Sequence, residues 1–119
     1  MNVELLRKVQ KAITKEPGRF RMSTWGEVAR GPACGTVGCI AGWAALLNVT
    51  ENPDEFRKHV DVMTQKNGRT ALKLRSGQAE RLFFLNAWPS KFQELYIIGD
   101  SVKAAVKRIN HFIKTGGRE

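Results

Sequence analysis

The twenty residues from Gly31 to Thr50, GPACGTVGCIAGWAALLNVT, carry no charge. They lie in a chain of 119 residues with 20 Lys+Arg against 11 Asp+Glu, a formal net charge of +9. A run of this kind must leave water, so the rest of the fold has to be built around it. A membrane span needs ~20 apolar residues. The first third of the run, Gly31-Pro32-Ala33-Cys34-Gly35, reads as loop. Thr36 is a suitable N-cap. It predicts a helix from Val37 to about Leu47, and eleven residues rise only ~16 Å. The run is therefore expected to be a buried central helix, with no membrane partner. Gly38 and Gly42, four apart, with Ala41 and Ala45 nearby, predict close approach of a neighbouring backbone.

Amphipathic pieces surround it. Leu5, Leu6, Val9, Ala12 and Ile13 recur at helical spacing over Val3–Lys15, with Arg7, Lys8, Lys11 and Lys15 opposite. Pro17-Gly18 ends this helix. Arg19-Phe20-Arg21-Met22 alternates like a short strand or extended segment, and Ser23-Thr24-Trp25 leads into a loop around Gly31-Pro32. Asn52-Pro53-Asp54-Glu55 is a helix start. Asn67-Gly68 is a turn signal that either closes a small β-hairpin within 59–74 or separates two helices; helices are preferred. Ser76 is expected to cap a helix carrying Ala79, Leu82 and Phe83. Trp88-Pro89 breaks it, and Ser90 to Ile98 forms another helical piece. The last helix starts at Asp100 or Ser101. Val102, Ala105, Val106, Ile109, Phe112 and Ile113 form its apolar stripe, Lys103, Lys107 and Lys114 one flank, and Arg108 and His111 the far side. Gly116 suits its C-cap. The expectation is a mostly α, compact single domain over 1–119. Five or six short helices would surround the central apolar one, with 115–119 a frayed tail.

The two cysteines, Cys34 and Cys39, both fall in the uncharged run. Buried packing thiols are the plain reading. With Thr36 as cap, Cys39 would be the third helical residue, where amides and the helix dipole favour a thiolate. Cys34 and Cys39 are therefore weak catalytic candidates, as a redox pair or a reactive thiol. A zinc site would need two further ligands. Only His59 and His111 are available besides carboxylates, at the wrong spacing, so no metal and no cofactor are expected. No phosphate-binding glycine loop and no nucleophile elbow occurs, which weighs against an enzyme. The N-terminus lacks the apolar core of a signal peptide, so the expected location is the cytoplasm.

Four segments occur in a recognisable order: Phe20/Met22/Trp25; Cys34-Gly35-Thr36-Val37-Gly38-Cys39-Ile40-Ala41-Gly42-Trp43-Ala44; Gln78-Ala79-Glu80-Arg81-Leu82-Phe83; and Trp88-Pro89. In these the middle two-thirds of the chain resembles a family of small, uncharacterised bacterial and phage-encoded proteins with a CGTxxCIAGWA core. The resemblance implies a shared fold and an origin in bacteria or mobile elements. The family has no established activity, so no catalytic residue is carried over.

The positive balance favours an anionic partner, nucleic acid first or an acidic protein. If the first and last helices pack together, Lys8, Lys11, Lys15, Lys103, Lys107 and Lys114 could form one patch. Arg19, Arg21 and Arg30 would add to it. The plain alternative is that these are solvated faces. No helix-turn-helix, zinc finger or RNP motif is present, so sequence-specific readout is not expected. Two other functions stand beside this one. One is a phage or mobile-element accessory protein acting through protein–protein contact, such as an inhibitor of a host or defence enzyme, with Trp25, Trp88 and Phe92 as its aromatic patch. The other is a thiol-based redox protein using Cys34 and Cys39.

Overall fold

A computed structural model describes residues 1–29 and 35–119. Its centre is the apolar run, but the helix there starts later than its sequence suggests. After a short antiparallel pair of strands, β1 (Glu27–Ala29) and β2 (Gly35–Val37), helix α2 spans Ile40–Val49. Thr36 is paired with Val28 in the hairpin, and Cys39 takes the cap position in an extended conformation. The reason lies in the backbone amides. Gly38 N–H donates to the Arg19 carbonyl (3.0 Å) and Cys39 N–H to the Thr24 carbonyl (2.9 Å). The Arg19–Thr24 segment thus takes donors that a helix begun at Val37 would leave unsatisfied. Phe20 bridges to Gly38 alongside.

Every residue from Ile40 to Leu47 is buried. The side chains of Ile40, Trp43 and Leu46 each contribute ~1.5–3 kcal/mol by leaving water, so α2 anchors the core. Its glycines make this packing possible. The Trp25 carbonyl occupies the space a Cβ on Gly42 would need, and it lies 2.8 Å from where a Cβ on Gly38 would stand. On another side, Gly68 brings helix α3 (Gln65–Leu72) against the backbone of Ala41. That contact explains why Asn67-Gly68 lies inside a helix and closes no hairpin. Thr64 Oγ1 accepts from the Asn67 amide (3.1 Å), which starts α3 three residues earlier. The segment Pro53–Val62 before it is a run of 3₁₀ turns, with Asn52 Oδ1 accepting from the Asp54 amide (3.1 Å).

Helix α1 (Val3–Lys15) is capped by Asn2 and buries Leu5, Leu6, Val9 and Ile13. Helix α4 (Ser76–Phe83) has Arg75, not Ser76, at its cap, because the Gln78 side chain accepts from the Arg75 amide (3.0 Å). Helix α5 (Ser90–Ile97) and helix α6 (Ser101–Lys114) complete the mostly α fold. At the end of α6 the Gly117 amide donates to the Phe112 carbonyl (2.8 Å) and that of Gly116 to Ile113 (3.0 Å), with both glycines at positive φ. This double closure satisfies the last carbonyls. The tail expected to fray is held down: Gly117 is buried, and its carbonyl accepts from Arg81 Nη2 (3.0 Å). Among the described residues no helix is long and apolar enough to cross a membrane.

Candidate nucleic-acid interface

The first and last helices do pack together. Gln10, in the buried face of α1, is the fastener. Its Nε2 donates to the Val106 carbonyl (2.9 Å) and to Asn110 Oδ1 (2.8 Å), and its Oε1 accepts from Arg7 Nη1 (2.9 Å). Arg7 also donates to Asn110 Oδ1. On α6, Arg7 reaches Asn110, and Gln10 reaches both Asn110 and Val106 one turn earlier. A buried amide bonded on both ends fixes the two helices in one register. Neither Gln10 nor Asn110 stood out in the sequence. The available signal was Gln10 itself, a polar residue within the apolar stripe of α1.

On the solvent side of this seam, Lys103, Lys107 and Lys114 are spaced by four and seven and share one stripe of α6 with Asn110. Lys11 lies four residues from Arg7 on α1, and Lys15 one turn further. Lys11, Lys15, Lys103, Lys107 and Lys114 are exposed, with no ion pair among the described residues.

The other predicted cations are engaged locally. Lys8 pairs with Glu51 and, at 3.9 Å, with Glu4. Its hydrogen bond to Glu51 raises the Lys8 ammonium above its ordinary value, and the same contact lowers the Glu51 carboxyl. Arg19 Nε lies 2.7 Å from Glu16 Oε2, and Arg21 Nη1 lies 3.2 Å from Glu27 Oε1. Arg30 lies outside the described residues. Arg108 is not on the far side of α6 but fully buried. Its Nη2 donates to the Arg81 carbonyl (3.0 Å), and its guanidinium lies 5.7 and 5.6 Å from the ring centres of Phe92 and Phe112. Burial, then the neighbouring Arg81 charge, lowers it to about 10, with Glu119 opposing. It stays charged at neutral pH but is closed to a partner.

The thiol candidate has the wrong environment. Cys39 is 1% exposed. Burial raises its thiol above the ordinary value, while the amides of Gly42 and Ala41 pull the other way. A helix terminus stabilises a charge by ~0.3–1 kcal/mol. Desolvation in an apolar core shifts a buried group by up to several pKa units, so burial wins. Cys34 lies outside the described residues. The aromatic patch also dissolves: Trp88 and Phe92 are buried, Trp88 Nε1 donates to the Leu82 carbonyl (2.8 Å), and half-buried Trp25 packs edge-on to Phe84 at 5.8 Å.

Comparison with protein-family models, curated proteins and solved structures gave no match. The geometry alone bears on function.

Proposed function

We propose that this protein is a small basic binding module for nucleic acid, gripping the phosphate backbone without reading base sequence. The observation that carries this reading is the pair of helices fastened by Gln10, which presents five lysines with no ion pair among the described residues: Lys11 and Lys15 from α1, Lys103, Lys107 and Lys114 from α6. Exposed lysine side chains suit phosphate, whose contacts position a protein and carry no sequence information. Among the described residues no Trp, Phe or Tyr side chain is exposed to stack on a base.

The test is binding of the purified protein to labelled single- and double-stranded DNA and RNA across a salt series. Five phosphate contacts predict a slope of log Kobs against log salt of about −4.5 on duplex DNA and about −3.5 on single strands. Charge reversal at Lys11 and Lys107 together should flatten that slope and weaken binding, while reversal of Lys66 on α3 should not. Absence of binding at low salt, or equal loss from all three reversals, would refute the proposal.

A further inference from the structure

Beside the lysine face, α1 forms one wall of a second feature. A cleft of about 290 Å³ opens between α1, the end of α2 and the start of the 3₁₀ segment. Its floor is Trp43, Leu47 and Phe56, and Ala12 lines its α1 wall. The size is just below the ~300–1,000 Å³ usual for small-molecule clefts. Lys11 and Lys15 stand at its rim without ion pairs. The other charged rim residues are matched to one another or to a neighbour: Lys8 with Glu51, and Glu16 with Arg19. Lys8, Leu47 and Glu51 also line a more polar neighbouring cleft with Asn2, Glu4 and Thr50.

We propose that this cleft binds a small amphiphilic carboxylate, its aliphatic body along Ala12, Leu47 and Pro53 above the buried Trp43–Phe56 pair and its head between Lys11 and Lys15. The charge left over at the rim is positive, so the head group must be an anion. The rings decide the body. Trp43 and Phe56 pack edge to face on each other at 5.5 Å, and Trp43 Nε1 is used by the Arg19 carbonyl (3.0 Å). Both rings are almost fully buried, Trp43 1% and Phe56 7% exposed, so neither offers a face on which a nucleobase could stack, whereas a hydrocarbon chain needs only the apolar surface of Ala12, Pro53 and the lysine stems above them. This inference does not rest on the nucleic-acid reading, although the two share Lys11 and Lys15.

The experiment is titration of ¹⁵N-labelled protein with octanoate, octylammonium and a short acidic peptide containing leucine, followed by amide shifts. Octanoate should bind with Kd on the order of 0.1–1 mM, moving amides of Lys11–Lys15, Leu47 and Phe56, and octylammonium should not. Ala12→Leu, which fills the cleft without removing a charge, should weaken octanoate by about tenfold and leave nucleic-acid binding unchanged. Lys11→Gln with Lys15→Gln, a surface change that spares folding, should weaken it by about fivefold. Equal binding of octanoate and octylammonium, shifts scattered over the surface, or binding of the peptide alone would each overturn the proposal.

Discussion

The carbonyl oxygen of Trp25 rests against the Cα of Gly42, in the space a β-carbon would fill. This contact locks the segment before β1 onto the central helix and sets the position of the whole small-residue face of α2. Gly42→Ala should therefore cost ~3 kcal/mol or more, since backbone on both sides leaves nothing soft to move. Gly18→Ala, where a β-carbon meets nothing within 4 Å, should be neutral or stabilise by up to ~1 kcal/mol. Urea unfolding of both variants checks the contrast. A Gly42→Ala protein as stable as the parent would mean that α2 and Trp25 do not meet this way.

Arg108 offers a second test. It is fully buried, and among the described residues its Nε and Nη1 have no hydrogen-bond partner. Its charge is a cost to folding, only partly offset by the Phe92 and Phe112 rings. Arg108→Met keeps the volume and removes the charge, and thermal unfolding should show stability unchanged or raised by ~1 kcal/mol or more. Arg108→Ala opens a cavity and should lose ~3 kcal/mol. The pH dependence carries a sign. A cation whose value is lowered on folding weakens the fold at neutral pH, and this penalty fades as pH rises past about 10 towards the ordinary arginine value. Arg108→Met should lack that alkaline gain.

Cys39 should behave as a packing group. In a Cys34→Ala background its modification by a thiol reagent should be slow in the native state and fast in urea, tracking global opening. Burial and a raised thiol both point this way. Rapid labelling of the folded protein would restore the redox reading.

The Lys8–Glu51 pair predicts a titration. Glu51 should titrate below the ordinary carboxylate range, and Lys8→Met should return it there, as followed by side-chain NMR. A carboxyl lowered on folding stabilises the fold above its unfolded value and loses that contribution as pH falls through the folded one, so the effect lies in the acid limb. Lys8, raised on folding, contributes at all pH values below its ordinary range and loses this only as pH climbs through its raised value. Both groups are exposed, so the shift in midpoint is the readout and the change in stability is small.

Several elements were legible in the residues themselves. The stripe of Leu5, Leu6, Val9 and Ile13, the all-apolar Ile40–Leu47 and the Gly116 closure follow from helical periodicity and from glycine's tolerance of positive φ, which are local properties. The demand of Gly38 and Gly42 for a close neighbour was equally plain, because the missing β-carbon is written in the sequence. The neighbour itself, the Trp25 carbonyl, was not.

Where the chain determines structure by local rules, its sequence sufficed: mostly α, one apolar helix at the centre, lysines on the outer faces of the first and last helices. Only the tertiary structure decided the rest, and in each case a distant group outbid a local one. Thr36 has the chemistry of a helix cap, but the Arg19–Thr24 carbonyls took the amides and moved the start to Ile40. Asn67-Gly68 has the chemistry of a turn, but the Ala41 backbone needed a surface without a β-carbon. Arg108 counted as a surface cation until Phe92 and Phe112 closed over it. Of the nine cations assigned to a binding face, Arg30 lies outside the described residues, Lys8, Arg19 and Arg21 are held by carboxylates, and five remain open. Charge can be counted along a chain, but which charges stay open depends on which carboxylates folding brings beside them.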